Sequence, residues 1–574
     1  MVATPVKTKR LTVQVADLTA DITAIRSLDW DRDRFDIEFG LQNGTTYNSY
    51  LIRGEKIALV DTSHEKFRQL YFDSLNGLIN PQEIDYLIIS HTEPDHSGLV
   101  KDLLQLAPNI TVVGSKVAIQ FLENLVHHPF QRQLVKNGDQ LDLGNGHILE
   151  FVNAPNLHWP DTIFTYDHGS GILFTCDAFG MHYCSDDLYD EQLSAIEPDY
   201  RFYYECLMAP NARSVLAAMK RMEPLGNINL VANGHGPVLK HNVTELLTHY
   251  RDWSQAQTKA EKTVAVFYIA DYGYSDRLCQ SIAKGITKTG LAVETLDLKS
   301  ADPQEVKELA SSAVGIVIGT PPVSGIHAQE ITGNLGTILA SVNPKQYLGM
   351  FESQGGDDEP ILPLFNKFRE VGLTKAFDPI RSAETPNESL YQRCEEAGTD
   401  MGQLLTQEVK VKQRKSLDTD LDKAIGRISG GLYIITTKKG DRSGAMVASW
   451  VTQASFDPPG FTVAVAKDRA IESLMQVGDQ FILNILEEGN YQTLMKHFLK
   501  RFGPGEDRFA GVNTRTANNG SPILADALAY LECEVVSRME CADHWIVYNK
   551  VTDGRVSKPD SLTAVHHRKV GNYY

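Results

Sequence analysis

The sequence runs to 574 residues, too long for one hydrophobic core, and length alone suggests three or four domains. Hydrophobic residues make up 42% and charged residues 22%, the proportions of ordinary globular protein. A net charge of −18 with no long Lys/Arg run excludes nucleic acid and anionic membrane surfaces as partners, and no apolar run approaches the roughly 20 residues of a transmembrane helix.

Residues 1–10 are basic but have no apolar stretch behind them, so no secretory signal is expected. Up to about 255, short apolar strands alternate with helical stretches, as at 56–60, 86–90, 110–113 and 171–175, with a helix near 215–222: an α/β or α+β pattern. A polar stretch, 252–262, reads as a linker or terminal helix. From 263 the order is strand, helix (275–289), strand (292–296), helix (302–312) and strand (314–319), which predicts a doubly wound parallel sheet to about 408. The basic segment 409–417 reads as a second linker or a solvated helix end. Beyond it, strands at 431–437, 461–465, 481–485 and 531–536, with Gly, Pro and Asp between them, predict a small β-barrel. The expected domains are therefore 1–255, 260–408 and 418–574. Seven cysteines without a CxxC pair exclude zinc ribbons and iron–sulfur clusters and fit a reducing cytoplasm.

The most informative segment follows the strand at 86–90. His91, Glu93, Asp95 and His96 offer four metal donors within six residues. An extended backbone would put His91, Glu93 and Asp95 on one face, with His96 supplied by a turn. Three later positions join them: His158, Asp177 at a strand end, and His235 between two glycines. A lone histidine or strand-end carboxylate is usually structural; the conjunction with the four-donor loop is what points to metal. Four imidazoles and three carboxylates are harder than thiolates and suit iron cycling between two oxidation states. A zinc hydrolase remains the alternative from these residues alone.

The set resembles the metallo-β-lactamase superfamily, with Glu93 where the usual loop has its second histidine, the replacement seen in flavodiiron proteins. That resemblance implies an αββα sandwich. It also implies two non-heme irons, one held by His91, Glu93 and His158, the other by Asp95, His96 and His235, with Asp177 bridging.

Between a buried strand and a helix, Asp271, Tyr272, Gly273, Tyr274 and Ser275 form a turn able to hold a phosphate on backbone N–H groups. It is similar to the flavodoxin phosphate loop, although Ala270 and Tyr272 stand where hydroxyl residues are frequent. The resemblance implies FMN there, flanked by Pro321, Pro322 and Ser324 on one loop and Gly355 and Gly356 on another. This second loop is acidic and lacks the family's usual aromatic. In the C-terminal part, Ser449, Thr452 and Ser455, followed by His544, resemble the flavin reductase family, a split β-barrel that binds FMN or FAD. The serines and threonine would face the polar edge of the flavin, and His544 would lie near flavin or nicotinamide.

The three modules in this order resemble the three-domain flavodiiron proteins of oxygenic phototrophs, closest to the oxygen-reducing type with a complete ligand set. The resemblance implies that NAD(P)H, or ferredoxin or the acceptor side of photosystem I, supplies electrons through flavins for reduction of O2 to water, an electron sink protecting photosynthetic electron transport. It also implies a head-to-tail homodimer or a heterodimer with a related chain, in the cytoplasm. Nitric oxide reduction at the same irons and a mainly partner-dependent subunit are the rival expectations.

Overall fold

Alternating apolar residues in the first 261 positions give strands with two buried faces. In the computed structural model, which describes residues 10–32, 34–35, 39–269, 274–299, 301–320, 328–352, 361–382, 386–416 and 419–568, these strands form two sheets. The larger runs in the order Leu11–Asp17, Ile22–Asp29, Thr45–Arg53, Ile57–Val60, Tyr86–Ile89, Thr111–Gly114 and Gln131–Leu134. It is antiparallel through Ile57–Val60 and parallel afterwards. Ile25, Leu51, Leu59, Leu87 and Ile89 face one way and pack under the helices Arg68–Leu78, Val100–Leu106 and Lys116–Val126. Ile22, Ala24, Ile52, Ala58, Val60 and Ile88 face the other way, onto Phe151, Ile163 and Phe174 of the second sheet. That sheet runs Gln140–Gly144, His147–Asn153, Ile163–Asp167, Ile172–Cys176, Leu230–Asn233. Period-two burial of this kind makes each strand serve two layers, and the result is the expected αββα sandwich.

The chain divides into two compact units, the second beginning at Lys262. This second unit contains a parallel sheet with strand order Ala292–Asp297, Thr263–Tyr268, Gly315–Thr320, Tyr347–Glu352, continued by Thr374–Lys375 and Ile380–Arg381. The first strand in sequence lies second in space, the doubly wound order whose loops open at the C-terminal strand ends. The same unit contains a seven-stranded antiparallel sheet, with Arg442–Ala448 and Val451–Phe456 at its two ends and the long hairpin Ala529–Cys541/His544–Val556 between. The stretch 252–262 is mostly the end of the helix Val243–Thr258, and 409–416 continues the helix Glu388–Ser416 rather than leaving it as an extended linker. Lys and Arg are good helix formers, so a basic polar stretch has no local reason to break the helix. Among the described residues no helix is long and apolar enough to cross a membrane.

Candidate metal centre

Parallel strands end with their C-termini at one edge of each sheet, and the donors are delivered there. His91 and Glu93 follow Tyr86–Ile89 in extended backbone, with Glu93 at φ −57° and ψ 141°. Asp95 does not continue that extension. Pro94 opens the short helix Pro94–Ser97, because its fixed φ suits a first helical position, and Asp95 and His96 both project from that turn. Asp177 follows Ile172–Cys176 directly, and His235 follows Leu230–Asn233. Two glycines make the last approach feasible. Gly236 has φ +82°, and a Cβ on Gly234 would stand 2.7 Å from Cε1 of His96.

All seven predicted donors meet. His91, Glu93, His158 and Asp177 can offer atoms within 4.8 Å of one another, as can Asp95, His96 and His235. Asp177 faces both groups. Its Oδ1 lies 3.0 Å from His96 Nε2 and 3.1 Å from His235 Nε2, while its Oδ2 lies 3.4 Å from His91 Nε2 and 3.5 Å from His158 Nε2. Glu93 completes the first group at 3.0 Å from His158 Nε2, and Asp95 the second at 3.3 Å from His235 Nε2.

Six of the seven donors are buried and Asp95 is half-buried, and burial normally disfavours charge. Opposite charges overcome that here. Against burial, Glu93 raises the His158 imidazole to about 9, and Asp177 and Asp95 raise His235 to about 10. Against the same burial, His158 holds Glu93, and His96 and His235 hold Asp177, well below the carboxylate range. Yet among the described residues the buried atoms Asp95 Oδ1, Asp177 Oδ2 and His96 Nδ1 have no hydrogen-bond partner. Buried polar atoms are rarely left so, and oxygens converging on imidazole nitrogens are the donor set of a metal cage. The residues present therefore fit a pair of hard cations.

Several supporting residues carry no sequence signal of their own. Asp161 accepts from His91 Nδ1 at 2.9 Å and from the Thr92 amide and hydroxyl at 2.7 and 2.6 Å, which aims His91 Nε2 into the cluster. His235 Nδ1 donates to the Thr46 carbonyl at 2.6 Å. The Gly236 carbonyl in turn accepts from Asn48 at 3.0 Å and from the fully buried Arg26 at 3.4 Å, so one sheet holds the loop of the other. Tyr203 donates its hydroxyl to Asp177 Oδ1 at 3.0 Å, and the His182 ring lies 4.6 Å from that of His235. Only Asp161 offered a cue, three residues after His158.

The flavin candidates divide. Asp271, Tyr272, Gly273, Pro321, Pro322, Ser324, Gly355 and Gly356 lie outside the described residues. Tyr274 and Ser275 stand at the start of the helix Ser275–Thr287, with Ser275 buried. In the barrel, Ser449 is buried beside Trp450, whose ring centroid lies 5.1 Å from that of His544. Thr452 pairs with Thr462 on the edge strand, and Ser455 donates to Pro458 O at 2.7 Å and meets the Tyr548 hydroxyl at 2.9 Å, closing its own hairpin. The structure thus sets Trp450, the neighbour of Ser449 in sequence, against His544 and engages Ser455 in its own hairpin.

Comparison with known proteins agrees with this architecture. Residues 45–236 match the model of the ODP family beta lactamase, and residues 425–573 match that of the flavin reductase like domain. Diflavin flavoprotein A 1 of Synechocystis sp. is 71% identical, covering 99% of this chain and 98% of its own. A Nostoc sp. diflavin flavoprotein A is 69% identical over the whole of both chains. Among solved structures, the metal-soaked Flv1 flavodiiron core from Synechocystis sp. is 38% identical, with a TM-score of 0.64, covering 69% of this chain and 99% of that one. Flavodiiron proteins bind FMN and a non-heme di-iron site, and a flavin reductase domain takes FMN or FAD with NAD(P)H. The chain belongs to the diflavin flavoprotein A group of flavodiiron proteins, three-domain oxidoreductases that join flavins to a di-iron centre.

Proposed function

We propose that this chain reduces O2 to water with electrons from NAD(P)H, and that His91, Glu93 and His158 hold one iron, Asp95, His96 and His235 the other, and Asp177 both. The observation that carries the reading is Asp177, whose two oxygens address two separate donor groups inside one buried cluster. When bound, the irons supply single electrons to a small diatomic oxidant and the flavins convert hydride pairs into single electrons.

The residues of the chain support that work in definite ways. Three carboxylates offset much of the charge of two cations, so the loaded site is tolerable in a buried place. Tyr203, kept protonated by burial and by the charge of Asp177, remains an O–H donor and orients that carboxylate. The buried Trp159 packs perpendicular to the His91 ring, 5.0 Å between centroids, and so helps fix that imidazole. In the barrel, Ser449 and His544 are the residues proposed to meet flavin and nicotinamide, a role that follows the match of residues 425–573 to the flavin reductase like domain.

Ligand geometry supports O2 and nitric oxide alike; the choice of O2 follows the similarity to the oxygen-reducing members. The module order favours NAD(P)H as donor, with ferredoxin or photosystem I as alternatives, and seven cysteines without a CxxC pattern favour the cytoplasm. A head-to-tail dimer, of this chain or with a related flavodiiron protein, would bring one subunit's FMN to the other's irons. The test is Asp177→Ala with iron content and gas uptake measured together. Loss of O2 uptake with loss of iron supports the reading; unchanged uptake refutes it. Turnover of the native chain on O2 and on nitric oxide, measured side by side with each donor, decides substrate and donor.

A further inference from the structure

The helix Glu388–Ser416 has two working faces. One belongs to the parallel sheet: Tyr391, Cys394, Ala397 and Met401 are buried in its core, and a Cβ on Gly285 or Gly398 would collide with backbone carbonyls of the facing helix. These glycines let the two backbones touch, so the helix cannot shift against the sheet. The opposite face is a polar stripe, Glu388, Gln392, Glu396, Asp400 and Gln403, at the three- and four-residue spacing of one helix side. Such a stripe reads from sequence as a solvated surface. In the structure it is engaged along its length by the C-terminal barrel.

Glu388 pairs with Arg442 at 3.0 Å, and Gln392 donates to the Ser443 carbonyl at 2.8 Å. Glu396 pairs with Arg508 at 2.9 Å through one oxygen and accepts from the Gly505 amide at 2.8 Å through the other. Asp400 meets Arg501 at 3.4 Å, and Gln403 donates to the Asp468 carbonyl at 2.9 Å. Beside the stripe, Lys288 bridges Glu395 and Glu472, the latter also held by Arg538 of the barrel. Glu395 and Glu396 are each only 5% exposed. Carboxylates are almost never that buried without cationic partners, and here the cationic partner of Glu396, Arg508, comes from the other module, beside a bond from Gln392 of its own helix. Contacts repeated over 16 residues, about 23 Å of helix, constrain orientation as well as proximity.

We propose that this polar face is the docking surface of the chain's own reductase barrel, and that the two flavin modules work in this fixed arrangement, not as a tethered pair that swings apart between electron transfers. The functional half rests on the reading of the chain as an NAD(P)H-driven reductase. The docking half does not.

A disulfide staple tests it. An ideal Cβ on Gly505 lies 3.6 Å from Arg393 Cβ, within the roughly 3.5–4.5 Å spanned by disulfides. The full-length Arg393→Cys/Gly505→Cys protein, with its staple formed, should oxidise NAD(P)H with gas reduction within about threefold of the same protein opened by dithiothreitol, and a larger loss restored by reduction overturns fixed working. Gly505 has φ +73°, a strained place for cysteine, so a second measurement stands beside the staple. Hydrogen exchange in the native full chain should show the Gly505 amide protected, and Glu396→Ala should release it. That variant should also lose NAD(P)H-driven gas reduction while keeping NAD(P)H oxidation by ferricyanide. An unprotected Gly505 amide in the native chain overturns the docking itself. If the opened protein oxidises no NAD(P)H, the functional reading falls and the exchange result alone decides the docking.

Discussion

Asp161→Asn removes one charge and changes almost no volume, which makes it a sharp probe of how the first iron is held. Asp161 receives three donors, His91 Nδ1 and both donors of Thr92. Asparagine has one carbonyl oxygen and one NH2 group. If the oxygen keeps Thr92, the NH2 faces the N–H of His91, and the imidazole must move its proton to Nε2. That nitrogen is the one turned toward Glu93 and Asp177, so the proposed ligand atom is lost. A hydrogen bond to a charged group contributes about 1.5–3 kcal/mol. At about 1.4 kcal/mol per factor of ten, this amounts to about a ten- to hundredfold weaker hold, the range expected for a residue that orients a metal-bound histidine. The other group, Asp95, His96 and His235, has no bond to Asp161 among the described residues. Competition with a chelator under anaerobic conditions, with iron counted at each step, should therefore remove one iron early and the second at the native concentration. Two irons leaving together, or both held as tightly as in the native protein, would refute the reasoning.

Gly234→Ala places a Cβ 2.7 Å from His96 Cε1, so it should weaken the second iron preferentially, the mirror image of the Asp161 result in the same chelator assay. Phe174→Ala empties a fully buried ring position between the two sheets of the first unit and should cost about 3–5 kcal/mol, read as a lower midpoint for that unit in denaturant unfolding. Histidines His158 and His235, raised to about 9 and about 10 from an ordinary 6.5, carry protons at pH 7 when no metal is bound. Their folded values exceed their unfolded ones, so they stabilise the metal-free protein fully below about 6.5, and that contribution fades as pH rises through 9 to 10. Metal must displace those protons. Iron uptake at pH 7 should release protons and weaken as pH falls, which calorimetry in buffers of different ionisation enthalpy measures; uptake without proton release would count against it.

The metal cage was legible in the sequence because its donors are concentrated. Four of seven sit within six residues, and the others stand beside strand ends or glycines that mark where a chain can approach a site. Its support was not legible for the opposite reason. Arg26, Thr46, Asn48, Tyr203 and His182 act through backbone carbonyls, a shared carboxylate or ring contact, from segments far apart in the chain, and none has a residue type that is unusual in its local context. Asp95 shows the limit of a local rule: alternation suggested extended backbone, and Pro94 turned it into a helix. The stripe on Glu388–Ser416 shows another. Polar residues at helical spacing have the same pattern whether they face water or a partner surface, so only the folded chain distinguishes them.

In the proposed function, imidazoles and carboxylates of the first unit hold two irons that pass flavin-derived electrons to O2. The most direct measurement is metal and flavin content of the purified full chain, followed by anaerobic reduction with NAD(P)H and a pulse of O2. Two irons, bound flavin, and reoxidation that consumes O2 with four electrons per molecule and leaves no hydrogen peroxide are expected. A protein loaded with zinc and lacking iron, or one that returns the O2 as peroxide, would contradict it.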